Sequence, residues 1–165
     1  MIEGRVWTFG DNVPTDEIVP SDLVFKPLEE MAEHVLETRN PEFPKSVEEG
    51  DVIVAGEHFG QSSGRAIAPK AVQATGVACV VADSFARTFY RNCFEIGLPV
   101  LAREGVTDLV DEGDTVSVDL REGQITNTTT GETIECESVD PFLLEMVESG
   151  GLIPYKKQGF SADSD

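Results

Sequence analysis

The sequence predicts an α/β domain built on a central βαβαβ unit with an antiparallel appendage. Three observations carry this. Uninterrupted apolar runs at residues 52–55 (VIVA), 77–82 (VACVVA) and 98–101 (LPVL) read as strands covered on both faces. Helix-forming stretches at 66–75 and 85–95 lie between them, which favours a parallel sheet joined by right-handed crossovers. After residue 114 the pattern changes: TVSVDL, REGQIT and ETIECE alternate faces and are separated by turn sequences, as antiparallel strands are.

Taken in order, residues 3–9 alternate as a short strand that ends at Gly10-Asp11-Asn12. Two prolines, Pro14 and Pro20, pin the next stretch as an ordered loop. Residues 28–38 (LEEMAEHVLET) carry apolar positions at 28, 31, 32, 35 and 36 and predict one amphipathic helix. NPEFPK at 40–45 breaks it, and Glu48 to Asp51 turn into the first apolar run. Thr75-Gly76 stops the helix over 66–75. Asp83 or Ser84 can cap the helix at 85–95, and Gly97 ends it. A hairpin connection is expected over 127–132, and Pro141 opens a last helix closed by Gly150-Gly151. One domain over 1–157 is expected, with a polar, mobile tail over 158–165.

The chemistry-bearing stretch is GEHFGQSSGRAIAPKAVQA, residues 56–74. Gly56, Gly60 and Gly64, with Ser62 and Ser63, make a polar loop that lets backbone approach a ligand, and Arg65 and a helix follow. Ser63 and Arg65 sit where a carboxylate would be held. A turn without a ligand suits the same composition equally well. Neither G-x-x-x-x-G-K-[ST] nor G-x-G-x-x-G is present, so nucleotide readings fare worse.

Composition narrows the partners. Thirty-one acidic against 12 basic residues give a formal net charge of −19, a field that repels nucleic acid and anionic membranes. The three cysteines, Cys79, Cys93 and Cys136, are odd in number, widely spaced and without C-x-x-C, so neither a disulfide framework nor a metal site is expected. No apolar stretch is long enough to span a membrane, and MIEGRVWTFG is not a signal peptide, so a cytoplasmic protein is expected.

Four segments taken together resemble the small subunits of 3-isopropylmalate dehydratase, in the aconitase superfamily. They are FGDNVPTD (9–16), NPEFPKSVEEGDVIVAGEHFG (40–60), SFARTFYRNCFEIGLPVL (84–101) and GLIPY (151–155). The resemblance implies a swivelling β/β/α domain and a separate large subunit that carries a [4Fe–4S] cluster, with no cofactor on this chain. The family's loop pattern is F-G-x-G-S-S-R-E-H-A-P, and this chain reads FGQSSGRAIAP. A gapless match keeps Ser63, the family's catalytic base, and Arg65, which holds a substrate carboxylate. Gly64 replaces the second serine, and Ala66-Ile67 replaces the Glu-His pair.

The implied reaction is dehydration and rehydration of a small hydroxy dicarboxylic acid, with isopropylmalate of leucine biosynthesis the leading substrate. The resemblance places Asp16 at the active-site edge and substrate selection on residues 18–25, where Val24 and Phe25 are apolar and suit an isopropyl group. Asp22 stands where the family usually has Tyr. Gly60, Ser62 and Gly64 complete the expected substrate-binding set. Two other readings stay open: a paralogous subunit for another hydroxy diacid, and a non-catalytic partner of an aconitase-like large subunit. The charge balance yields a prediction of its own. Carboxylate self-repulsion is screened as salt rises, so the melting temperature should climb from dilute buffer to molar potassium chloride, and a flat or falling series would refute this.

Overall fold

The computed structural model describes residues 1–62 and 67–163. Its frame is one seven-stranded mixed sheet, ordered β4-β3-β2-β1-β5-β6-β7. β1 (Ile2–Thr8) is the seam. It runs parallel to β2 (Val52–Ala55), with Val6 opposite Val52, and antiparallel to β5 (Thr115–Asp119), with Gly4 opposite Val116. β3 (Cys79–Ala82) and β4 (Val100–Ala102) extend the parallel half, so the expected βαβαβ unit is present. β6 (Gln124–Asn127) and β7 (Glu132–Glu135) complete the antiparallel half.

The apolar runs need cover on both faces, and both are covered. Trp7, Ile53, Ala55, Val80, Ala82 and Val100 point to one core, packed against α4 (Ile67–Ala74), α5 (Arg87–Ile96) and α6 (Pro141–Glu148). The alternate residues Val6, Val52, Val54, Cys79, Val81 and Leu101 point to a second core, closed by Val116, Val118, Ile125 and Ile134 of the antiparallel strands. The sheet therefore curls over itself. Beyond β7 the Glu137 N–H donates to Ala102 O at 2.9 Å, tying the far edge back to β4. Burial of each such Val, Leu, Ile or Phe side chain contributes about 1.5–3 kcal/mol. Among the described residues no helix is long and apolar enough to cross a membrane.

Several local expectations give way to tertiary contacts. The two-proline stretch holds a short helix, α1 (Thr15–Ile18), which Pro14 precedes in an extended conformation. The helix expected over 28–38 stops early, as α2 (Leu28–Ala32). Leu36 then takes a positive φ of 58°, its N–H donates to Ile18 O at 3.2 Å, and Val35 and Leu36 are both fully buried. Packing of that pair against the end of α1 outweighs helix propagation. A further short helix, α3 (Phe43–Ser46), places Phe43 edge-on to both Trp7 and Phe9. At α5 the N-cap is Ala86, without a side-chain cap, and Ser84 Oγ accepts from the His58 N–H instead. The last helix, α7 (Leu152–Asp163), runs into the stretch read from sequence as a tail. Asp140 caps α6 as a helix-starting residue should, accepting from the Phe142 N–H at 2.8 Å.

One buried polar knot holds the seam strand to the loop before β2. Asp51, 4% exposed, accepts from Trp7 Nε1 at 2.9 Å and from the Glu48 N–H at 2.9 Å. The Arg5 guanidinium lies 3.5 Å from the same carboxylate oxygen and 4.9 Å over the Trp7 ring. Removing the acceptor strands an indole N–H and a backbone N–H. Asp51→Ala should therefore lower stability by about 2–4 kcal/mol in urea unfolding, summing about 1–3 kcal/mol per stranded donor with partial relief by water. A loss under 0.5 kcal/mol would show that the knot is incidental.

Candidate active site

Because β1, β2, β3 and β4 run parallel, the loops leaving their C-terminal ends share one edge of the sheet, where α/β folds place ligands. The loop after β2 is the middle one, and it is stitched to both neighbours. Toward the β1 loop, Gly56 N–H donates to Gly10 O, Asn12 N–H to Glu57 O, Gly60 N–H to Val13 O and Thr15 N–H to Gln61 O, all between 2.7 and 3.2 Å. Toward the β3 loop, Phe59 N–H donates to Ser84 O at 3.1 Å and Ala86 N–H to Phe59 O at 2.9 Å. Pro14 with Gln61, and Phe59 with Phe85, form isolated parallel bridges.

Side chains lock this arrangement. Asp11 Oδ1 accepts from the Glu57 N–H at 2.8 Å, and a Cβ on Gly56 would overlap that carboxylate. Arg39 pairs with Glu17 and donates to Asn12 O at 3.1 Å, holding the β1 loop from outside. Phe59, Phe85 and Phe89 pack ring to ring beneath the loop, with centroids 5.3 Å apart for Phe59 and Phe89. Gly60 is buried at a φ of +86°, and a Cβ there would strike the Phe89 ring. Its glycine is thus demanded by packing. His58 and Ser62 also take positive φ, 56° and 92°.

This stitching brings the β1 loop against the start of α4, and a pocket of about 220 Å³ opens between them. Among the described residues it is lined by Thr15, Asp16, Val19, Ser21, Val24, Ile67 and Ala68. The volume falls below the roughly 300–1,000 Å³ common for small-molecule pockets. Two larger crevices, of about 350 Å³ beside Asp83, Arg87 and Glu137 and about 400 Å³ beside Asp111 and Glu112, include no residue of α4 or of the 18–25 segment.

Of the expected site residues, Asp16 and Val24 line the pocket. Ser62 is exposed next to Gln61 and lies outside the lining, as does the buried Gly60. Phe25, the other apolar residue expected there, is 95% exposed and lies outside the pocket lining, while its neighbour Val24 ends a 3-10 turn over Ser21–Leu23 in helical geometry. Ser63, Gly64 and Arg65 lie outside the described residues, in the four-residue stretch that joins Ser62 to Ile67. Sequence reasoning missed Thr15, Val19, Ser21, Ile67 and Ala68 as pocket lining. For Ile67 a signal existed, since it stands in the loop pattern where the resembling family has His.

A [4Fe–4S] cluster does not fit this chain's thiols. Cys79 and Cys93 are fully buried in the two separate cores, and Cys136 is half-buried. Burial pushes the Cys79 and Cys93 thiols up, and pushes Cys136 to about 11, all away from the thiolate a metal ligand must be. Among the described residues no three His, Cys, Asp or Glu side chains are grouped to hold a metal ion.

Known proteins share this architecture. Residues 26–104 match the aconitase C-terminal domain family. The chain is 46% identical over 159 residues to the isopropylmalate/citramalate isomerase small subunit of Methanocaldococcus jannaschii, covering 96% of this chain and 95% of that one. It is 47% identical to 3-isopropylmalate dehydratase small subunit 1 of Methanopyrus kandleri, covering 96% and 94%. A crystal structure of 3-isopropylmalate dehydratase from Methanocaldococcus jannaschii superposes with a TM-score of 0.93 at 40% identity, covering 99% of this chain and 97% of that one.

The site's geometry makes a stability prediction. Gly60→Ala combines a left-handed backbone, costing about 1–2 kcal/mol, with overpacking against Phe89, costing about 1–3 kcal/mol. Phe25→Ala removes an exposed side chain and should stay within about 0.5 kcal/mol. Denaturant melts that rank the two variants equally would contradict the placement of both residues.

Proposed function

The chain belongs to the 3-isopropylmalate dehydratase small subunits of the aconitase superfamily, and from that premise we propose that it is the small subunit of a cytoplasmic two-subunit hydro-lyase isomerising isopropylmalate. The observation that carries the reading is the pocket between the β1 loop and α4, with apolar Val19, Val24, Ile67 and Ala68 beside polar Thr15, Asp16 and Ser21. A hydroxy diacid with a branched alkyl arm has the same two characters. In this reading the large subunit supplies the [4Fe–4S] cluster, which this chain's residues do not suit.

This chain's share of the chemistry is to bind, orient and accept a proton. Ser63 takes the proton from the carbon next to a carboxylate, and Arg65 holds a carboxylate with two parallel hydrogen bonds from its planar guanidinium. A free serine hydroxyl is a weak base, so its alkoxide needs stabilisation. The adjacent helix N-terminus and the arginine charge act in that direction. Asp16, on the pocket rim, orients polar groups of the substrate. The exchange of the family's Glu-His pair for Ala66-Ile67 favours a second reading, a subunit for another hydroxy diacid on the same machinery.

The test is reconstitution with the large subunit, followed by assay on a panel of hydroxy diacids. Ser63→Ala should leave assembly intact and lower kcat about 10²–10⁴-fold, the usual share of a general base. Arg65→Lys keeps the charge, loses the planar fork and should raise KM. Ser62→Ala should cost far less than Ser63→Ala. Full activity in both Ser63→Ala and Arg65→Lys would assign the base to the large subunit and leave this chain a scaffold.

A further inference from the structure

We infer that Ile67 is a specificity-determining residue, which with Val24 forms the apolar surface that selects a branched alkyl arm over a methyl group or a further carboxylate. The inference rests on the function proposed above. Four apolar residues line the pocket, yet they do not offer surface equally. Val19 is 2% exposed and Ala68 1% exposed, so both are packed into the core beneath. Val24 and Ile67 are only half-buried, and these two present the side-chain surface a ligand can reach.

They come from different places. Val24 follows a 3-10 turn on the segment after β1, while Ile67 is the first residue of α4, immediately after the stretch holding Ser63 and Arg65. Two residues beyond Arg65, the first side chain of α4 is a sec-butyl group. An imidazole in that place would offer an N–H donor and a partial positive charge to a polar or anionic arm. Isoleucine offers neither, and it leaves a buried carboxylate without a partner. The substituent that gains from Val24 and Ile67 together is a branched hydrocarbon, because each added buried methyl group gains from both walls.

One methylene in an apolar pocket discriminates by about tenfold or more. The experiment uses the complex reconstituted with its large subunit and compares kcat/KM for isopropylmalate with kcat/KM for citramalate, which carries methyl in place of isopropyl. Ile67→Ala should lower that ratio about 10-fold, mainly through KM for isopropylmalate. Ile67→Val, which keeps the helix start packed, should shift it in the same direction by about two- to threefold. Circular dichroism melts of both variant complexes check that the fold persists, and Ile67→Val decides should Ile67→Ala not fold. A ratio unchanged in the folded variants, or parallel losses on both substrates, overturns the role of Ile67 while the proposed function stands. A wild-type complex inactive on both substrates overturns the proposed function, and this inference with it.

Discussion

The structure depends on one constraint: the loop after β2 must lie between two neighbouring loops with its backbone hydrogen bonds already used. Gly60 N–H is given to Val13, Phe59 N–H to Ser84 and Glu57 N–H to Asp11. Close approach also excludes a Cβ at Gly56, where it would strike Asp11, and at Gly60, where it would strike the Phe89 ring. The Phe59-Phe85-Phe89 cluster fills the space below, so the loop rests on a rigid aromatic base.

The curled sheet supplies the second half of that rigidity. A parallel sheet needs cover on both faces, and helices alone cover only one face here. The antiparallel strands β5, β6 and β7 fold back to cover the other, so Val52, Val54 and Val81 are buried without a second helical layer. This leaves the edge carrying the C-terminal strand ends as the place where loops accumulate. Pocket and packing thus have one origin, the order in which seven strands pair around β1.

Much of this was legible in the sequence because burial leaves a period. The runs VIVA and VACVVA, and the alternation of TVSVDL, announce strands of two kinds, and both kinds appear where expected. What was not legible depends on contacts between distant residues. Leu36 continues a helical apolar pattern, yet its N–H is taken by Ile18 and its φ turns positive. Ser84 looks like a helix cap, yet His58 takes its hydroxyl. Asp16 and Val24, singled out through family resemblance, line the pocket together with Thr15 and Ser21, which no sequence pattern marked.

The charge of the chain sharpens the question of how a diacid is recognised. A formal net charge of −19 repels a dianion at long range, and Asp16 on the pocket rim adds local repulsion. Salt shortens the reach of the first effect to about 8 Å at physiological ionic strength and about 3 Å at 1 M. It does little to the second, which acts at contact distance. Among the described residues, Arg39 beside the β1 loop is committed to Glu17 and to loop carbonyls. In the proposed reading, recognition of the carboxylates therefore falls to Arg65 and to the large subunit, and the pocket wall contributes preference for the uncharged arm. A site divided this way selects by hydrocarbon shape on one subunit and by charge across the junction, which makes the assembled complex, rather than either chain, the unit that recognises substrate.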